Sequence, residues 1–145
     1  MRGILVFLFA MSVFNQASAE YYYRRDGSTQ EAAIGAVEMK GIGIVNLVAV
    51  LEFKRAPEDT KIYKSDKYTD FLDRVKLGAK TIALKLLLEK PTIEISELKP
   101  LRERIDKSVS AYFEYETKSE FPNESIQIIY GFSMLYVSDP FENKK

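Results

Sequence analysis

The hydrophobic pattern of this chain follows the strand period from Ala32 to Arg55, the helix period through its middle, and the strand period again from Ile126 to Val137. Alternation buries one face of a sheet and a helical stripe buries one side of a helix, so each needs the other to cover it. Between Ala32 and Arg55, Val37, Met39, Val45, Leu47, Ala49, Leu51 and Phe53 share one parity. Glu38, Lys40, Asn46, Glu52 and Lys54 share the other, together with Ile42, Ile44, Val48 and Val50. That is the signature of a half-buried sheet. The run is too long for one ordinary strand. Gly41-Ile42-Gly43 is its natural break, as a bulge or a tight bend. Pro57 ends it, because proline cannot donate to a ladder.

Ser65 or Asp66 caps a helix that runs to about Lys90. Tyr68, Phe71, Leu72, Val75, Ala79, Ile82 and Leu86 form its stripe, and Pro91 stops it. Leu77, Leu84, Leu87 and Leu88 widen the apolar surface, which predicts that this end lies between a sheet and a second helix. Gly78 marks either a close backbone crossing or a local weakness. Thr92 to Ile95 is a short extended link. The second helix starts with Ser96 as cap, or with Pro100 in its first turn. Its apolar face is Leu98, Leu101, Ile105, Val109, Tyr112 and Phe113. Arg102, Arg104 and Lys107 are a candidate docking patch, but the interleaved Glu103 and Asp106 favour a solvated face.

Ile126 to Val137 is the closing strand, central in the sheet or long and bent. Ile126, Ile128, Tyr130, Phe132, Met134 and Tyr136 share one parity, with Gly131 as a candidate bulge on the other. The expected class is α+β: an antiparallel or mixed sheet covered on one face by two helices, in the order strands, helix, helix, strand.

The first nineteen residues carry an address. Arg2 precedes an apolar run, Ile4 to Phe14, and Ala17-Ser18-Ala19 follows. Small side chains at the first and third positions before a cut suit signal peptidase, so cleavage is expected between Ala19 and Glu20. The run is well short of the roughly 20 apolar residues that a spanning helix needs. The expected organisation is a leader over 1–19, a flexible N-terminus over 20–31, one domain over 32–139 and a charged tail over 140–145. Periplasmic or secreted localisation follows.

Chemistry is limited by what is missing. The chain has no Cys and no His, so disulfides, Ser-His-Asp and Cys-His constellations, and thiolate or imidazole metal sites are excluded. The 21 basic and 21 acidic residues balance, which gives no global attraction to nucleic acid. An apolar fraction of 46% argues against disorder. Asp70 with Asp73, and Glu103 with Asp106, place carboxylates one helical turn apart, an arrangement routine on solvated helices. No catalytic residue, cofactor or metal is expected.

Four pieces of the chain carry a resemblance: Asn46-Leu47-Val48-Ala49-Val50-Leu51-Glu52-Phe53, Phe71-Leu72-Asp73-Arg74-Val75, Leu101-Arg102-Glu103-Arg104-Ile105 and Ile129-Tyr130-Gly131-Phe132-Ser133-Met134-Leu135. Their order from Ile44 to Val137 resembles the periplasmic domain of the FliL family, proteins associated with the flagellar basal body. The resemblance implies a non-catalytic contact role, supporting a membrane motor. Members of that family keep a transmembrane anchor; a cleavable leader here implies a lost or changed anchoring role.

The expected function is therefore protein–protein contact by an exported envelope protein. The alternative is a carrier of a small apolar or lipid-like ligand held between sheet and helices. Ile82, Leu86, Tyr130, Phe132, Met134 and Tyr136 are the candidates for a ligand cavity, or for ordinary core. Tyr21, Tyr22, Tyr23, Arg24 and Arg25 are candidates for a peripheral membrane contact, or for a loosely packed N-terminus.

Overall fold

The computed structural model describes residues 22–23, 28–54 and 61–138. The expected leader over 1–19 and the tail over 140–145 lie outside them, as do Tyr21, Arg24 and Arg25.

The class is α+β, with a mixed sheet and two helices. The sheet consists of β1 (Tyr22–Tyr23), β2 (Thr29–Met39), β3 (Gly43–Phe53), β4 (Thr92–Ile93) and β5 (Tyr130–Ser138). The lateral order is β1-β2-β3-β5, and β4 pairs with β2 at the far end of the edge that carries β1. All pairings are antiparallel except β2 with β4.

β2 and β3 form a hairpin whose register runs unbroken from Met39↔Gly43 to Thr29↔Phe53. The glycine break is a tight turn: the Ile42 N–H donates to the Met39 carbonyl at 3.0 Å, and Gly41 takes φ 79°, where a Cβ would be strained. The segment 20–31, expected to be flexible, instead contains β1 and the first three residues of β2. Its polar composition hid this, because strand pairing satisfies backbone groups whatever the side chains are.

Ser65 caps the first helix, α1 (Asp66–Leu87); its side chain accepts from the Tyr68 N–H at 3.2 Å. Such a cap contributes about 1 kcal/mol. The helix stops at Leu87, short of Pro91. The link that follows is pinned to the sheet: the Glu38 N–H donates to the Pro91 carbonyl, and the Lys40 N–H donates to the Ile93 carbonyl, both at 2.9 Å. Ser96 does not cap the second helix, which starts two residues before Pro100 and holds that proline in its first turn. A 3₁₀ turn over Ile95–Glu97 leads into α2 (Leu98–Glu120), and the Glu97 carboxylate accepts from the Glu94 N–H at 2.8 Å.

The core lies between the helices and one sheet face. Met39, Val45, Leu47, Leu51, Phe71, Val75, Leu87, Ile105 and Val109 are all essentially fully buried there. Each such side chain contributes roughly 1.5–3 kcal/mol by leaving water. The end of α1 approaches β2 closely at Gly35, where a Cβ would stand 2.9 Å from Leu88 Cδ2. The Gly78 question has a third answer. A side chain rather than a backbone occupies the space: a Cβ there would fall 2.1 Å from Tyr112 Oη.

The last strand, β5, differs from expectation in three ways. It begins at Tyr130 rather than Ile126. Among the described residues β5 is an edge strand, not a central one. Its register with β3 is continuous through Glu52↔Gly131, so Gly131 is not a bulge. Apolar residues on both parities imitate a doubly buried strand, but Leu135 and Tyr136 are 45% and 44% exposed.

Candidate functional site

Among the described residues β5 ends the sheet, and it brings four of the expected site residues into one row. The pairs Phe53↔Tyr130, Leu51↔Phe132, Ala49↔Met134 and Leu47↔Tyr136 put this row on the helix-covered face. Tyr130 anchors its start: its hydroxyl donates to Asp106 Oδ1 at 2.8 Å, and its ring meets Phe113 edge-on at 5.0 Å. Burial, then the Asp106 carboxylate, pushes its phenol up to about 12. Phe132 and Met134 are half-buried against the core.

Two open grooves flank the row. One of about 530 Å³ is lined by Leu98, Lys99, Arg102, Met134, Leu135 and Tyr136. It joins an apolar floor to two cations from the start of α2. The other, about 420 Å³, lies beside Tyr130 and takes Glu103, Asp106, Lys107 and Glu114 from the middle of α2. The interleaved charges of α2 are thus sorted along the strand: basic beside its second half, mainly acidic beside its first. Helical periodicity shows which residues share a face, but not which strand that face lies beside.

The remaining candidates are elsewhere. Leu86 lines a third groove of about 280 Å³ with Leu87, Ile93, Glu97, Leu101 and Arg104, where Arg104 pairs with Glu89. Ile82 is half-buried against the core. Tyr22 and Tyr23 form the short strand β1, paired with Gln30 and Thr29.

Sequence reasoning missed a buried ionic cluster. Glu31 on β2 and Lys76 on α1 are 3% and 4% exposed. Lys80 Nζ lies 3.7 Å from Glu31 Oε2, and Lys76 Nζ lies 3.7 Å from Asp73 Oδ1. Lys76 also stands 5.4 Å from the centre of the Phe53 ring. Burial lowers the Lys76 pKa, against the opposing pull of Asp73 and Glu31. Glu31 shares the inward parity of Ala33 and Val37, the one signal that could have exposed it. Such a cluster fixes how α1 sits on the sheet more than it adds net stability.

Among the described residues no group of three or more Asp or Glu is placed to hold a metal ion. No helix among them is long and apolar enough to cross a membrane. No protein family, characterised protein or solved structure matches this chain.

Proposed function

We propose that this is an exported, non-catalytic envelope protein that works by protein–protein contact, and that the contact is made along β5 and its flanking grooves. One observation carries the reading. Among the described residues β5 is a nine-residue edge strand with no charged residue and no proline, and its apolar side chains Leu135 and Tyr136 reach solvent. Edge strands in soluble proteins are ordinarily protected by lysines, prolines, bulges or short length. An edge without those devices is suited to being covered. The export half of the reading rests on the leader-like segment before Glu20. The likeness to FliL-type domains rests on the four sequence pieces alone, and the contact reading does not depend on it. The carrier alternative has less support, because Met134 and Tyr136 line an open groove and Leu86 lines a different one.

A photo-reactive amino acid placed at Tyr136, with Tyr115 on α2 as control, tests the contact. Tyr115 is 70% exposed and lines none of these grooves. A discrete adduct from position 136 in the native host, absent from position 115, is the expected result. No adduct at 136, or the same adducts at both positions, refutes the reading. Intact-mass measurement tests export: a chain that still carries Met1 to Ala19 contradicts it.

A further inference from the structure

The backbone of β5 shows which of its groups point away from the sheet. The Lys54 N–H donates to the Ile129 carbonyl at 2.8 Å. Antiparallel ladders alternate hydrogen-bonded and non-hydrogen-bonded pairs. Along the continuous register, Gly131, Ser133, Leu135 and Val137 therefore direct their N–H and C=O groups at β3. Tyr130, Phe132, Met134, Tyr136 and Ser138 direct theirs outward. Among the described residues no further strand meets them.

We infer that these outward groups pair with β5 of a second copy, antiparallel about a two-fold axis through Met134, so that the two sheets become one. This rests on the contact reading above and names its partner. Three observations favour a copy of this chain over another strand. The first is register. An axis through Met134 is the centre of the strand, and it sets every outward-facing residue opposite another: Met134 opposite Met134, Phe132 opposite Tyr136, and Tyr130 opposite Ser138 of the second copy. Each pair exchanges two backbone hydrogen bonds, and within Tyr130–Ser138 none is left over.

The second is the side-chain row. Four of these residues, Tyr130, Phe132, Met134 and Tyr136, also have their side chains on the helix-covered face. Pairing therefore extends the apolar row across the junction, with aromatic opposite aromatic, a favourable cross-strand match. No charge within the strand opposes another.

The third is charge sorting. Lys99 and Arg102 line the groove beside Met134 to Tyr136, and Glu103, Asp106 and Glu114 line the groove beside Tyr130. A two-fold axis through Met134 exchanges the two halves of the strand. It thereby brings the basic groove of each copy toward the mainly acidic groove of the other. The interface is isologous and closes on itself, leaving no further β5 edge to propagate a fibre.

The test uses the full purified chain. The protein contains no cysteine, so a single introduced cysteine reports one contact without background. Facing residues of a hydrogen-bonded pair have Cα atoms about 5.5 Å apart, within disulfide reach. Mild oxidation should cross-link Met134→Cys into a covalent dimer but leave Tyr130→Cys monomeric, because its own counterpart is eight residues away along the strand. Met134→Pro removes an outward N–H and no bond to β3. It should weaken the dimer about tenfold or more in sedimentation equilibrium, with little change in thermal unfolding. Met134→Lys, which places two ammonium groups at the axis, should do the same by a route that leaves the backbone intact.

A chain that stays monomeric at every concentration overturns the inference. So does a dimer that survives both Met134→Pro and Met134→Lys, or one in which Met134→Cys fails to cross-link. If the purified chain is monomeric while Tyr136 still yields an adduct with a different protein, self-pairing is refuted and the broader contact reading stands. A monomer with no adduct at all refutes both.

Discussion

Replacing Gly78 by alanine tests whether the crossing of α1 and α2 is set by a side chain. On helix propensity alone the change should stabilise, because glycine in a helix interior costs about 1 kcal/mol relative to alanine. The structure opposes that gain. A Cβ at Gly78 would stand 2.1 Å from Tyr112 Oη, 2.5 Å from Cζ and 2.8 Å from Cε1. Unbonded carbon atoms sit comfortably at about 3.5–4.0 Å, so the end of the ring must retreat by more than an ångström. Forced repacking of this kind typically costs about 1–3 kcal/mol. Gly78→Ala should therefore be net destabilising, by about 1 kcal/mol, once the propensity gain is subtracted.

The decisive measurement is a double-mutant cycle by urea melts, read as midpoint shifts at constant slope. With Tyr112→Ala as background the obstruction is gone, and the same Gly78→Ala change should stabilise by about 1 kcal/mol. With Tyr112→Phe, which removes only the nearest atom, the result should fall between the two. The phenol reports independently. Burial raises the Tyr112 pKa, so a ring displaced by Gly78→Ala should titrate nearer its ordinary value. Equal stabilisation by Gly78→Ala in all three backgrounds would refute the packing argument.

Phe71, almost fully buried, should lose about 3–5 kcal/mol on truncation to alanine, and the half-buried Phe132 clearly less, as denaturant melts of both will show. Glu31→Ala removes the buried partner of Lys80 and part of the compensation of Lys76, and should destabilise by less than the roughly 3–5 kcal/mol of a wholly unpaired buried charge, because Asp73 remains beside Lys76; Lys76→Met removes a poorly solvated charge and should be near neutral or stabilising. In alkali, stability should fall between pH 10 and 12. Tyr68 and Tyr130 hold their protons to about 12 in the folded protein against 10 when unfolded, so the folded state binds more protons across that window. Lys76, with its pKa lowered, contributes in the opposite sense as pH approaches the ordinary lysine value from below. Tyr68→Phe should flatten the alkaline decline in melts run across that window.

The sheet, the two helices and their order were legible from the sequence, because burying one face leaves a periodic trace. Val45, Leu47, Ala49, Leu51 and Phe53 lie inward as their shared parity requires, and Ser65 caps α1 because a short hydroxyl side chain can reach its free N–H groups. Periodicity is local, however. It identifies which residues share a face and cannot say what lies opposite. Only the tertiary structure decided that β5 is an edge rather than the middle of the sheet, since an apolar edge and an apolar centre leave the same trace. The same holds for Glu31 beneath α1 and for Tyr112 over Gly78, each buried by a residue more than thirty positions away. It holds above all for the grooves along β5, where residues about thirty positions apart become a sorted line of charge beside an uncovered strand.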